Sequence, residues 1–540
     1  MFARRRIPVL IFVSLALFVA SAAPTATPAQ FESIRTYIKQ TWHKLTRSNA
    51  LLAVAAVDPK FQPAADGRWP VYVSTLEDEA AVGAKLRSEM APEAFAKISL
   101  QRLPADPSQV RQHGLLYLPN PYVVPGGRFN EMYGWDSYFI QLGLVRDEEW
   151  ELAKNMADNF LYEIRNYGRI LNANRTYYLT RSQPPFLTQM LLAVYRHTGD
   201  KKWLAAAVPQ VESYYRFWTT EPHVTPSTGL SRYYDFGDGP APESVSAERD
   251  DKGRTHYDLI KEYYKGHKVP DYEVGEFYNR ATNQLTELFY KGDRSMRESG
   301  FDPSNRFGPF SVDIIHYNPV CLNSLLYIME RQTAEILTIL DRQGEVPEWN
   351  ARADLRRDRI NKLMWSEEDG LYYDYNFMRK TVRHYPFLTT FYPLWAGIAT
   401  PHQALSVMKN LDKFERPGGL RTSAIHSGNQ WDSPFGWAPL QMIAVEGLRQ
   451  NGFDTAADRI TQEFLSLILK DFLARGTIVE KYDVVRRASD VSSAIGFGYR
   501  TNVEGFGWTN AVFLQLYAEL PNSAKPGVLT LDRAAAATAR

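Results

Sequence analysis

Residues 125–138 read PGGRFNEMYGWDSY, and residues 430–439 read QWDSPFGWAP. Both stretches combine glycine, tryptophan and aspartate with further aromatic and polar residues, a mixture poorly suited to a plain hydrophobic core. Aromatic faces stack on sugar rings, while arginine and aspartate form directional hydrogen bonds with hydroxyl groups. The two stretches therefore favour a site that grips a carbohydrate.

The composition of the whole chain fits a neutral small-molecule substrate. Its 540 residues are enough for a large core, and its formal net charge is +1. A net charge this close to zero does not attract nucleic acid or an anionic surface, so no nucleic-acid partner is expected. Cys321 is the only cysteine, which excludes an internal disulfide and a multi-cysteine metal site. We expect no metal and no cofactor.

Helical periodicity dominates the chain, and alternating strand patterns are scarce apart from residues 371–375. A dozen helices without a heptad seam favour an all-α fold with paired rings of helices over a coiled coil. An opening helix presents Ile34, Ile38, Trp42 and Leu45 on one face. The other predicted helices cover residues 80–90, 135–166, 185–198, 202–219, 272–290, 323–343, 348–364, 402–409, 433–450, 455–474 and 506–517.

The first 22 residues have the pattern of a cleaved secretory signal. Three arginines at positions 4–6 precede an apolar run at 7–20, and Ala20-Ser21-Ala22 resembles a cleavage site. The alternative is an uncleaved membrane anchor, although the run is short for a bilayer. No later segment is apolar enough to cross a membrane. The pattern predicts a periplasmic or secreted protein without stable membrane insertion after cleavage.

Two acidic residues have surroundings that suit glycoside hydrolysis, which needs one protonated and one ionised carboxyl group. Asp302 follows Phe301 in a turn of small residues, and an apolar flank raises a carboxyl pKa. Glu480 follows an apolar stretch and precedes Lys481, which favours the ionised form. Each has a structural alternative: Asp302 as a turn former or helix cap, and Glu480 as a surface ion pair with Lys481.

Several segments, found in a consistent order, resemble the trehalase family of glycoside hydrolases. RESGFDPSNRF at 297–307 is similar to the segment that holds the family's general acid, and VEKYD at 479–483 to the segment that holds its base. NANRTYYLTRSQPP at 172–185 and GFGWTN at 505–510 resemble further substrate-binding segments. Together with the two opening stretches, they mark a resemblance from about residue 115 to 520.

The resemblance implies an (α/α)6 six-hairpin barrel that hydrolyses α,α-trehalose to two glucose molecules with inversion. Asp302 would protonate the bridging oxygen, and Glu480 would deprotonate the attacking water. The residues at matching positions are expected to bind the substrate: Arg128, Phe129, Trp135, Asp136, Asn172, Arg181, Gln183, Glu243, Trp431, Asp432 and Trp508. For the tryptophans, ordinary core packing is the alternative.

Four positions depart from the family pattern, and two of them are Phe435, where the second signature usually has asparagine, and Cys321, which replaces an aspartate. Ala241 stands where an Arg-Pro-Glu-Ser run usually has its arginine, and Arg249 or Arg254 is a candidate replacement. Tyr499 stands where a lid glutamate usually precedes the GFGW stretch. These departures leave two alternatives open, namely hydrolysis of a different α-glucoside by the same residues and a catalytically silent sugar-binding protein.

The expected domain organisation follows from these assignments. After the signal at 1–22, residues 23–70 form an N-terminal extension with the first helix, and residues 71–521 form the (α/α)6 catalytic domain. Residues 522–540, which end in RAAAATAR, are expected to be a mobile tail.

Overall fold

In the part of the chain that the structure describes, twelve helices alternate between an outer and an inner ring. The computed structural model describes residues 24–245, 249, 252–492, 495–499 and 501–531, so the predicted signal at 1–22 lies outside the described residues. The inner ring consists of Gly134–Arg146, Leu187–Thr198, Val320–Ile339, Tyr392–Trp395, Ala438–Gln450 and Gly507–Glu519. The outer ring consists of Pro28–Leu45, Trp150–Tyr167, Lys201–Thr219, Val346–Leu363, Pro401–Lys409 and Asp454–Arg475.

The inner ring is closed. Each inner helix packs against the next one along the chain, and the last, Gly507–Glu519, packs against the first, Gly134–Arg146. Outer and inner helices alternate along the sequence, so the described residues form six consecutive helical hairpins. This arrangement confirms the predicted all-α (α/α)6 toroid.

Burial explains why the sequence separates into two rings. Inner helices are apolar on most sides, as in Ala438–Gln450, where all but three residues are buried. An outer helix such as Trp150–Tyr167 is amphipathic and buries a stripe that includes Met156 and Phe160. Close contact between inner helices also requires small residues, because a Cβ atom at Gly143 would lie 2.7 Å from Ala511.

Shorter elements fill the connections between the hairpins. A three-stranded parallel sheet has the order Ile98–Arg102, Trp69–Val73, Leu115–Leu116. The connecting helices are Leu52–Ala55, Glu79–Glu89, Pro92–Phe95, Pro242–Val245, His256–Gly266, Val274–Phe277 and Glu287–Glu298. The two- and three-residue strands include Phe435–Trp437 paired with Lys481–Asp483, Tyr278–Asn279 with Gln284–Leu285, and Trp365–Ser366 with Leu371–Tyr372.

Three helix predictions were wrong in their extent: the one at 433–450 begins too early, because Phe435–Trp437 is a strand, and the other two run across a turn. The predicted helix at 135–166 is two helices, because the chain turns at Glu148, whose φ of 64° is incompatible with a right-handed helix. The predicted helix at 272–290 contains a hairpin instead, and Asn283 in its turn has a φ of 55°. In both segments the apolar residues keep a helical spacing across the turn, so the sequence pattern did not show it.

The two ends of the described chain pack on the barrel. Pro28–Leu45 contacts Asp454–Arg475 and Gly507–Glu519, so the helix expected in an N-terminal extension belongs to the outer ring. Near the other end, the Leu531 amide donates a hydrogen bond to the Pro24 carbonyl at 2.9 Å. Residues 522–531 of the expected mobile tail are thus packed, and 532–540 lie outside the described residues. Within the described ranges, none of the helices has the length and apolar character needed to cross a membrane.

Candidate active site

The predicted site segments meet where several inner helices begin. Trp135 and Asp136 lie in the first turn of Gly134–Arg146, and Trp508 lies in the first turn of Gly507–Glu519. Gln183, just before another inner helix, accepts a hydrogen bond from the Trp135 amide at 2.9 Å. The closed ring therefore gathers parts of the chain that are far apart in sequence.

A tryptophan cluster, defined here as Trp135, Trp431, Trp437 and Trp508, lies beneath these segments. Trp431 stacks on Trp437 with ring centroids 3.8 Å apart, and Trp135 lies 5.8 Å from both Trp431 and Trp508. All four side chains are buried. Most of the surface of these four side chains is therefore packed in the core, as the core-packing alternative predicted. The cluster holds in place the segments that carry the polar residues.

Asp302 follows the helix Glu287–Glu298 on a tight loop. Gly300 in this loop has a φ of 78°, and a Cβ atom there would lie 2.9 Å from the Trp135 ring. The Asp302 side chain keeps 37% of its surface exposed, and one carboxyl oxygen lies 3.8 Å from Arg297 Nη1. Burial raises the pKa of Asp302 to about 7, although Arg297 and Arg181 act to lower it. A carboxyl group with this pKa is protonated for much of the neutral range.

Glu480 lies beside a short antiparallel ladder. Phe435–Trp437 pairs with Lys481–Asp483, and the Glu480 amide donates to the Val503 carbonyl at 3.0 Å. One carboxylate oxygen accepts the Tyr499 hydroxyl, and the other accepts Lys481 Nζ at 3.1 Å. The predicted ion pair with Lys481 exists, but both side chains are buried. Two donors therefore hold a carboxylate inside the protein.

Gln430 connects the segments of the two carboxyl groups. Its Nε2 donates to the Asp302 carbonyl, and its Oε1 accepts Lys481 Nζ at 3.4 Å. Next to it, the Trp431 amide donates to the Pro303 carbonyl at 3.1 Å. The second signature stretch thus lies between the Asp302 loop and the Glu480 strand.

Asp432 differs from the other predicted binding residues because protein donors surround its carboxylate. It is fully buried, and burial raises its pKa to about 6. Its oxygens accept hydrogen bonds at 2.5–2.8 Å from the Asn305 amide and from the hydroxyl groups of Tyr385, Ser423 and Ser427. These bonds anchor the loop that follows Asp302.

A second polar group surrounds Arg181. Its Nη2 donates to Glu243 Oε1 and, at 3.4 Å, to Asn172 Oδ1. Burial raises the pKa of Glu243, but Arg181 and Arg297 outweigh it and hold that pKa at about 2. Glu243 Oε2 is buried without a hydrogen-bond partner among the described residues, whereas Arg181 Nη1 lies 3.6 Å from Asp235 Oδ2 in a buried ion pair. An unpaired buried oxygen such as Glu243 Oε2 is available to a polar ligand.

Arg128, Phe129 and Asp136 complete the predicted set. Asp136 is buried, and burial followed by the charges of Glu480 and Asp302 raises its pKa well above the usual range. Arg128 is exposed, with its guanidinium 5.5 Å from the Phe129 ring and 5.4 Å from the Tyr499 ring. Phe129 also contacts Phe506 edge-on, at 6.2 Å between ring centroids.

Sequence reasoning missed the arginine next to Asp302. Arg254 pairs with Glu262 at 2.6 Å, and Arg249 donates to the Gly253 carbonyl at 2.9 Å; the role of either residue as a replacement for the arginine missing at Ala241 stays a prediction. Arg297 lies 3.8 Å from the Asp302 carboxyl group, and Asp293 orients its guanidinium through two hydrogen bonds of 3.1 Å. In the sequence, the position of Arg297 at the start of the RESG stretch was the only indication that it lies near Asp302.

Named relatives of the chain are trehalases. It is 38% identical over 431 residues to the cytosolic neutral trehalase of Saccharomyces cerevisiae, covering 73% of this chain and 56% of that protein. It is 39% identical over 437 residues to the cytosolic neutral trehalase of Pyricularia oryzae, covering 73% and 58%. The chain thus spans a little over half the length of the curated relatives it matches.

The predicted periplasmic or secreted location is wrong by this comparison. Relatives from Saccharomyces cerevisiae, Pyricularia oryzae, Neurospora crassa and Kluyveromyces lactis are all named cytosolic neutral trehalases. The prediction rested on residues 1–22 alone, which lie outside the described residues.

Structural similarity extends over nearly the whole chain. Neutral trehalase Nth1 from Saccharomyces cerevisiae superposes with a TM-score of 0.76 at 33% identity, covering 94% of this chain and 96% of that one. The family model described as Trehalase matches residues 26–521, a range that contains the predicted acid, base and binding residues. The chain therefore belongs to the trehalase family.

Proposed function

We propose that this protein hydrolyses α,α-trehalose to two glucose molecules with inversion. Asp302 is the general acid and Glu480 the general base. The observation that carries the proposal is the contrast between the two carboxyl groups: burial raises the pKa of Asp302 to about 7, whereas Glu480 accepts two hydrogen bonds, one from a cation. Two carboxyl groups in such different environments can take different roles, one as general acid and the other as general base.

The proposed reaction balances with these two groups and one water molecule. Asp302 gives its proton to the bridging oxygen as the bond from that oxygen to one anomeric carbon breaks. Water attacks this carbon from the opposite face, and Glu480 takes its proton. One glucose is released in the β form and the other in the α form, and exchange with solvent restores both carboxyl groups. Inversion requires about 6.5–9.5 Å between the carboxyl groups, which leaves room for the water.

The sugar hydroxyl groups bind to polar residues that have unused hydrogen-bonding capacity. Glu243 offers a buried acceptor without a hydrogen-bond partner among the described residues, and Arg181, which is paired with Glu243 and Asp235, holds it in place. We propose that Asn172, Gln183, Asp136 and Arg128 bind alongside them, and that Phe129 contacts a sugar face. We assign a supporting role to Trp135, Trp431, Trp508 and Asp432, because protein groups occupy most of their surface or their hydrogen-bonding capacity.

Two substrates separate the proposed roles. Asp302→Asn should lose about 10²–10⁴-fold in kcat on trehalose, yet retain far more activity on α-glucosyl fluoride, because fluoride leaves without a proton. Glu480→Gln should lose activity on both substrates, since both need an activated water. Asp66→Asn, at an exposed ion pair with Arg68, is the matched control. Equal losses of Asp302→Asn on both substrates would contradict its role as acid.

A different α-glucoside is the second candidate substrate, because Ala241 replaces an arginine of the family pattern. This residue is buried, and its amide donates to the Tyr257 hydroxyl at 3.1 Å, so the position contributes no guanidinium. Rates on trehalose and on maltose decide between the two. A wild-type protein that binds trehalose but hydrolyses neither sugar would instead be a silent binder.

A further inference from the structure

Tyr499 contacts the proposed base and both neighbouring cations. Its hydroxyl donates a hydrogen bond to Glu480 Oε1. Its ring lies 4.0 Å from Lys481 Nζ and 5.4 Å from the Arg128 guanidinium carbon. Lys481 Nζ binds the other oxygen of Glu480 at 3.1 Å. The Tyr499 side chain therefore contacts Glu480, Lys481 and Arg128 at once.

We propose that Tyr499 is a positioning residue that orients Glu480 through the phenol hydrogen bond. The inference rests on the proposed function, because it assigns Glu480 the role of base. The two donors approach different oxygens, so the carboxylate is held from both sides and its rotation is restricted.

This arrangement leaves the base able to work. An ionised carboxylate has about four lone-pair sites, and Tyr499 and Lys481 occupy two of them. The remaining sites are available to a water molecule. Phenol also adds no charge to a region where Asp136, Asp302 and Glu480 already interact, whereas a carboxylate at position 499 would add a like charge next to the base.

A purely structural role is the competing explanation, because the Tyr499 ring also packs against the hydrophobic core. Tyr499→Phe separates the two, since it keeps the ring and its contacts with the cations and removes only the hydroxyl. Tyr72→Phe is the matched control. The Tyr72 hydroxyl donates to the Gln112 carbonyl at 2.8 Å, within the parallel sheet region.

The test is steady-state kinetics on trehalose and on α-glucosyl fluoride for the full chain and both variants. For Tyr499→Phe we expect kcat on trehalose to fall about 10–100-fold and KM to stay within about twofold. The loss of kcat on α-glucosyl fluoride should be similar, because both substrates need the water that Glu480 activates. Tyr72→Phe should match the wild type in all three measures.

Two results would overturn the inference while the wild type remains an active trehalase. One is a Tyr499→Phe variant with wild-type kcat. The other is a reduced kcat of Tyr499→Phe together with a Tm well below that of Tyr72→Phe, which would assign the hydroxyl to general stability; thermal unfolding of both variants measures this. An inactive wild type would overturn the proposed function itself, and the inference with it.

Discussion

Arg297 should control the pH at which the proposed acid loses its proton. Its Nη1 lies 3.8 Å from the Asp302 carboxyl. At an effective dielectric constant of about 20, this separation corresponds to about 4 kcal/mol, or roughly three pH units. Asp302 retains 37% exposure of its side chain, so solvent screening reduces the expected shift to about 1–2 units.

The predicted change is in the alkaline limb of kcat/KM. A general acid must be protonated, so wild-type activity should fall as pH rises through about 7, the pKa of Asp302. Arg297→Gln removes a positive charge that lowers this pKa, and the limb should therefore move to higher pH. Arg297→Lys keeps the charge and should leave the limb within about half a unit.

The measurement is the pH profile of glucose release from trehalose by the three proteins. Arg297 also pairs with buried Asp293, so circular dichroism must show that Arg297→Gln is folded at each pH. An alkaline limb that stays in place in Arg297→Gln, or moves to lower pH, would refute the assignment of Asp302 as the acid controlled by this arginine.

Two further predictions concern stability. Arg175→Gln should lower the free energy of unfolding by about 3–5 kcal/mol in urea titrations, because it leaves the buried Glu131 carboxylate without its cation; a loss below about 1 kcal/mol would contradict this. Burial, and then Glu519, raise the pKa of Glu446 to about 8, so the stabilisation of its protonated form is complete below about pH 4.5 and is lost as pH rises through 8. Wild-type Tm should therefore fall between pH 5 and 9 more steeply than that of Glu446→Gln, and parallel curves would contradict the assignment.

Helical periodicity predicted an all-α fold and located most of the ring helices. The resemblance to the trehalase family implied the barrel and singled out Asp302 and Glu480 as the proposed acid and base. The inner helix Tyr392–Trp395 was not predicted, since a single turn is too short to show periodicity. The parallel sheet that contains Trp69–Val73 was also missed, because its strands pair across intervening helices and loops.

The two Trp-Asp pairs look alike in sequence but have different surroundings in the fold. Trp135-Asp136 and Trp431-Asp432 read alike, and both were predicted to bind substrate. In the fold, Asp136 is buried close to both proposed catalytic carboxyl groups, whereas Asp432 accepts hydrogen bonds from four protein donors. Only the tertiary contacts distinguish a residue that faces the site from one that supports its loop.

The central claim is that trehalose is hydrolysed with inversion by one acid and one base. Proton NMR of the anomeric signals, followed from the first minutes after the protein is mixed with α,α-trehalose, tests it directly. The account predicts equal early appearance of α- and β-glucose, before mutarotation mixes the two forms. Early release of α-glucose alone would show retention and contradict the account.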